Sequence, residues 1–231
     1  MKKTIITTVL SLGLIGFGKA QDAAKDFAST AAAYSNAKSL NMQVAVKQYA
    51  STTDQAGTLI GKGEMHLQDD NYYSSFLNDV VVKKPGHLLH IDKSEHVMHV
   101  YRGEQSKGNA TADAASLPDM SAFLNQPGVE ISYQGSSDGA KHYRIESQQS
   151  MTPRTDLWLD AKTGFIKRID YYYAASTEEY SFDAYKVRVD YTSVTTSTPS
   201  RRYFDLTQYY KQRGGTVVPE ADFAAYRVIT H

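Results

Sequence analysis

Leu157-Trp158-Leu159-Asp160-Ala161-Lys162-Thr163-Gly164-Phe165-Ile166-Lys167-Arg168-Ile169 is the stretch on which the fold turns. Two apolar-rich runs flank a short polar segment in which the Asp160 side chain can close a turn. Gly164 supplies the positive φ that a type I turn with a following bulge requires, which sets the register of both strands. The spacing predicts an antiparallel hairpin over 155–160 and 165–173.

Outward from this hairpin, two-residue alternation recurs in short segments at 41–49, 58–68, 72–77, 80–84, 87–91, 97–101, 129–134, 142–148 and 180–194. Turn-rich pieces such as Gln68-Asp69-Asp70-Asn71, Pro85-Gly86 and Ser136-Ser137-Asp138-Gly139 separate them. Parallel partners need a long crossover, so strands joined this tightly are antiparallel neighbours in a meander. On the first strand Met42, Val44 and Val46 share one side, and Gln43, Ala45 and Lys47 share the other. Gly61-Lys62-Gly63 is too short for a phosphate loop and, inside a strand pattern, reads as a bulge.

Before the first strand, 21–40 is Ala-rich and free of Pro and Gly, with Ala23, Phe27, Ala31 and Tyr34 forming a narrow apolar stripe. That is an amphipathic helix laid on a larger apolar surface. Met1–Ala20 has Lys2 and Lys3, a short apolar run and small residues at Gly18 and Ala20, the pattern of a cleaved signal peptide. A mature chain of one domain, 21–231, in the periplasm is expected, with secretion as the alternative and no transmembrane segment left. The small, polar segment 107–117 reads as a loop before a short helix at 118–125. A tail holding Phe204, Leu206, Tyr210 and the run 226–229 is expected to cross the sheet edge or close over the core.

The chain has 25 basic and 25 acidic residues and no cysteine. Loss of the leader leaves 22 basic residues against 25 acidic, a net charge of about −3, which argues against a general nucleic-acid binder. Without disulfides, an exported chain is held by its core alone. No Gly-x-Ser-x-Gly, Ser-x-x-Lys or His-Glu-x-x-His pattern is present, so the reading is non-enzymatic and without cofactor. His87, His90, His96 and His99 invite a metal. A turn tipped by Lys93-Ser94, however, sets His90 opposite Val97 and Leu88 opposite His99, making His90 and His99 diagonal neighbours with His87 and His96 on the other face. Two of the four meet and four do not, so no metal is assigned.

The 17 tyrosines are the more suggestive feature. Tyr171-Tyr172-Tyr173, Tyr180, Phe182, Tyr185 and Tyr191 lie on late strands, where alternation sends some inward. Tyrosine lines cavities for acyl chains with an apolar ring and a polar handle, and the competing reading is core filling plus cross-strand pairs.

In the order of its features the chain resembles the LolA/LolB-like family of periplasmic lipoprotein carriers. Those features are the leader, the Ala-rich helix, strand 41–49, Gly61-Lys62-Gly63-Glu64, Val82-Lys83-Lys84-Pro85-Gly86-His87-Leu88-Leu89 and the 157–169 hairpin. The resemblance implies a mainly β fold, a strongly curved antiparallel sheet or incomplete barrel, with an N-terminal helix and short helices over its concave face. It also implies a hydrophobic cavity that receives lipoprotein acyl chains. Lys84-Pro85 looks like the family's Arg-Pro pair, with Lys keeping the charge and losing the planar fork. Asp92-Lys93-Ser94-Glu95-His96-Val97-Met98 stands where the family has an Asp-Gly-Lys-Thr-Leu-Trp-like stretch.

The expected function is non-catalytic binding or carriage of a lipid, a lipoprotein acyl chain or another hydrophobic ligand, with an envelope protein as a further partner. Phe27 and Tyr34 from the helix, Met42, Val44 and Val46 from the first strand, Lys84, and Ile169, Tyr171 and Tyr173 on the far side are the ligand-facing candidates. The alternative is an envelope scaffold with a filled core that meets another protein through a Tyr-rich face.

Overall fold

The computed structural model describes residues 18–103, 127–148, 150–174 and 184–231. The expected leader up to residue 17, the loop 107–117, the helix 118–125, Tyr180 and Phe182 lie outside them.

A helix α1 (Gly18–Ser35) precedes β1 (Ser39–Tyr49), β2 (Thr58–Gln68), β3 (Asn71–Phe76), β4 (Asp79–Lys84), β5 (His87–Asp92) and β6 (Val97–Arg102). After these come β7 (Val129–Ser137), β8 (Ala140–Ser147), β9 (Arg154–Asp160), β10 (Ile166–Tyr172) and β11 (Lys186–Thr195). The tail adds a small hairpin, β12 (Tyr210–Arg213) and β13 (Thr216–Pro219), and a last strand β14 (Arg227–Thr230). One large curved sheet, not closed into a barrel, has the order β14-β6-β5-β4-β3-β2-β1-β11-β10-β9-β8-β7. It consists of two antiparallel meanders joined where β11 returns to β1, plus β14 added in parallel to β6.

The 157–169 hairpin forms as its residues dictate. Asp160 Oδ1 accepts the backbone N–H groups of Lys162 and Thr163, and Gly164 has φ +77. The register slips between Ile166 and Arg168, which is the expected bulge. A second slip lies beside Gly61, where Val46 faces Gly61 and Lys47 faces Leu59.

The β5–β6 hairpin corrects the expected pairing. Asp92 Oδ1 accepts the N–H groups of Ser94 and Glu95, and His96 adopts φ +52, so the turn takes four residues. His90 therefore sits directly opposite His99, and Leu88 opposite Tyr101. The helix also differs: it ends at Ser35 because Leu40 already lies buried in β1. Buried Thr30, not the exposed Ala31, completes the stripe with Ala23, Phe27 and Tyr34.

The two meanders are covered on opposite sides. On the side here called the helix face, Ala23 and Phe27 pack against Tyr143, Leu157, Leu159, Ile166 and Ile169. On the tail face, Phe204, Tyr210 and Val217 pack against Tyr73, Val82, Leu89 and Met98. The tail thus does both things expected of it: 3-10 turns and β12–β13 close over β3–β6, and β14 extends the edge.

Candidate functional site

The helix face is organised by α1. Phe27 is fully buried and meets Tyr143 edge-on with ring centroids 5.2 Å apart. Beside this apolar row runs a polar one at four-residue spacing, Asp26, Thr30 and Tyr34. Lys141 Nζ donates to Asp26 at 2.7 and 2.8 Å, and the Tyr143 hydroxyl donates to the same carboxylate. Thr30 Oγ1 donates to the Gly164 carbonyl at 2.9 Å. The Ile166 N–H donates to the Tyr34 hydroxyl at 3.1 Å, and Phe165 packs edge-on to the Tyr34 ring at 5.0 Å. Burial pushes the Tyr34 phenol up to about 12.

Past the end of α1 the apolar surface continues. Leu40, Met42 and Phe165 are buried, and Tyr34, Met65, Leu67, Tyr191 and Val194 gather around them only partly buried. Burial raises the Tyr171 and Tyr191 phenols, so both stay neutral donors at any physiological pH. An open surface depression of about 410 Å³ lies next to this cluster, touching it through Ala33 and otherwise bounded by Asn36, Ala37, Lys38, Ser39 and Thr196. A second, of about 460 Å³, lies further along β1 and β2 and is more polar, with Gln43, Lys62, Glu64, Ser75 and Thr192 in its wall.

The structure brings most of the sequence-derived candidates onto the helix face. Phe27, Ile169 and Tyr171 belong to the α1 cluster, and Tyr34 joins it to Met42. Val44 lies opposite Tyr191 and Gly63, and Val46 opposite Val189 and Gly61. Tyr173 follows β10, half-buried, and its N–H donates to the Tyr185 carbonyl. Lys84 stands apart: alternation from Val82 puts it on the tail face, near Asp205. Met65, Leu67, Tyr191 and Val194 were not among the candidates; alternation along β2 marks Met65 and Leu67, whereas Tyr191 and Val194 are three residues apart and share a face only because the register slips between Gln43 and Val44.

On β5 and β6, His90 Nε2 donates to Asp79 Oδ1 at 2.7 Å, and His99 Nδ1 lies 3.2 Å from His231 Nε2. Among the described residues no group of three or more His, Cys, Asp or Glu is placed to hold a metal ion. No described helix is long and apolar enough to cross a membrane.

No family model and no curated protein matches the chain. Solved structures with a similar chain path include an uncharacterized conserved protein from Thermus thermophilus, 8% identical, with 92% of this chain and 99% of that one covered and a TM-score of 0.45. The Pseudomonas aeruginosa MucA/MucB complex is 14% identical, with 80% of this chain and 60% of that one covered, at 0.48. A LolA superfamily protein from Nitrosomonas europaea is 13% identical, with 79% and 97% covered, at 0.34. The fold assignment rests on the strand order above, and none of these likenesses bears on ligand or partner.

Proposed function

We propose that the chain is an envelope protein that binds or carries a lipid, a lipoprotein acyl chain or another apolar molecule, with no covalent chemistry. The observation that carries this reading is the apolar strip that outlasts its helix. Met65, Leu67, Tyr191 and Val194 surround buried Met42 yet stay partly exposed, and an open depression of about 410 Å³ adjoins them. The depression is open to solvent, and its volume falls in the usual range for small-molecule sites. The neutral Tyr34 and Tyr191 hydroxyls beside the strip suit the carbonyl end of an acyl ester.

The scaffold reading is favoured by a different observation. Leu59, Ile60 and Leu77 are exposed together at one end of β2 and β3, the kind of patch a protein partner covers. Native mass spectrometry of protein purified from its own envelope separates the two. A reproducible acyl-chain adduct, lost in Met42→Glu, supports the carrier. Protein that is empty and refuses added fatty acid and phospholipid leaves the scaffold.

A further inference from the structure

Unlike the meander strands, β14 runs parallel to its neighbour β6, and it forms the outer edge of the large sheet. The Arg227 N–H donates to the His96 carbonyl and the His231 N–H to the Val100 carbonyl, each at 2.9 Å. Four paired residues in parallel are a weak hold, because parallel pairing is slightly less stable per residue than antiparallel, so side chains must add to it. On the tail face Val228 and Tyr226 pack against the core, and the Tyr226 ring meets His96 at 5.1 Å.

On the opposite face the contact is a row of imidazoles. His90 and His99 stack with centroids 5.9 Å apart, His99 and His231 with centroids 5.6 Å apart, and the Tyr101 ring lies flat on His231 at 4.1 Å. His99 Nδ1 and His231 Nε2 are 3.2 Å apart. One of these nitrogens must donate and the other accept, so the bond survives while at least one ring is neutral. Double protonation sets two N–H groups and two positive charges against each other. The Tyr101 face favours the first proton on His231, which leaves His99 as the acceptor.

The surroundings of His99 resist the second proton. His90 on β5 and Arg227 and His231 from the last strand stand near it as cations, and Asp92 on β5 opposes them. Asp79 on β4 is engaged by His90 at 2.7 Å, and Lys83 follows on the same side of β4. Burial first, then the His90, His231 and Arg227 charges, hold the His99 imidazole below its ordinary 6.5.

We propose that the His99–His231 pair is an acid-sensitive latch: protonation of both rings frees β14 from β6 and bares the β6 edge. A value lower in the docked strand than in the free one means that docking is complete above 6.5 and weakens as pH falls below it. The bared edge presents unpaired main-chain N–H and C=O groups of the kind another strand pairs with. The latch lies at the β14 end of the sheet, away from the strands under α1, and does not depend on the ligand reading.

The test is hydrogen exchange of the full chain, read by mass spectrometry on the peptide spanning 224–231 and corrected for the intrinsic effect of pH on exchange. From about pH 7.5 to about pH 4.5 its protection is expected to fall roughly tenfold, the weight of one charged hydrogen bond, while peptides from β1 and β2 keep theirs. His231→Gln and His99→Gln keep a polar partner and remove one of the two charges, so both are expected to abolish the step. Protection that does not fall, a fall shared equally by β1 and β2, or a step that survives in either variant overturns the proposal. Should a variant lose protection already at neutral pH, the imidazole proton resonances of the unaltered protein decide. Rings that share one proton each follow two linked steps, and a single step for each overturns the latch.

Discussion

The Tyr34 hydroxyl accepts the backbone N–H of Ile166 across 132 residues of sequence, tying the last turns of α1 to the hairpin that organises the second meander. The bond satisfies an N–H at the start of β10, next to the bulge, where pairing with β9 has begun and pairing with β11 begins only at Arg168. Tyr34→Phe keeps the edge-on packing against Phe165 and removes the acceptor. Stranding a buried donor costs about 1–3 kcal/mol. A lower denaturation midpoint with an unchanged slope is expected from urea unfolding; an unchanged midpoint means the helix is not held this way.

Asp26 gives α1 an acid limit. Burial works to raise its carboxyl, but hydrogen bonds from Lys141 and Tyr143 outweigh it and hold the group below its ordinary 3.8. A folded-state value below the unfolded one means stability that is present above the unfolded value and disappears as pH falls through the folded one. Asp26→Asn is therefore expected to be the less stable protein at neutral pH, with the gap closing below about pH 4. Denaturant midpoints of both proteins across that range provide the check.

Gly63 has a packing duty that its bulge-like motif only half announced. A Cβ there would lie 2.5 Å from the Ser75 carbonyl oxygen and 2.7 Å from the Phe76 ring. Both neighbours belong to β3, and the backbone oxygen has nowhere to go. Gly63→Ala is expected to destabilise by about 1–3 kcal/mol through overpacking, while Lys62→Ala on the exposed side changes stability by less than about 0.5 kcal/mol. Thermal melts of the pair test it: equal melting temperatures contradict the close approach.

What was legible in the chain was local chemistry. Asp160 and Gly164 specify their turn within five residues, and period-two runs mark strands whatever packs on them. Long-range choices were not legible. Alternation separates Val80 and Val82 from Val81, yet says nothing of the tail covering one side while α1 covers the other end of the sheet on the opposite face. The His90 register slipped by two residues because the Asp92 carboxylate and a left-handed His96 enlarge the turn. Ala31 gave way to Thr30 because the Gly164 carbonyl needs a donor, a demand made by the far end of the sequence. Lys84 entered through family resemblance, which carries residue order and not the face on which a side chain lies. The candidate strip was half found: β1 was read for its inward side chains, and the same reading of β2 would have added Met65 and Leu67, whereas Tyr191 and Val194, three residues apart, reach one face only through the slip between Gln43 and Val44.

The single tryptophan reports on the charge state of His142. Trp158 stacks on His142 with ring centroids 4.3 Å apart and planes 6° from parallel. Burial lowers the His142 value from 6.5; Asp156 opposes this, and Arg144 and Arg154 assist it. The imidazole is thus neutral at pH 7, and because the unfolded state binds its proton more readily, the stability tied to its neutral form declines as pH falls below 6.5. Protonation sets a cation against the indole face, where it quenches emission. Tryptophan fluorescence is therefore expected to fall with a midpoint below 6.5, and His142→Gln is expected to abolish the step.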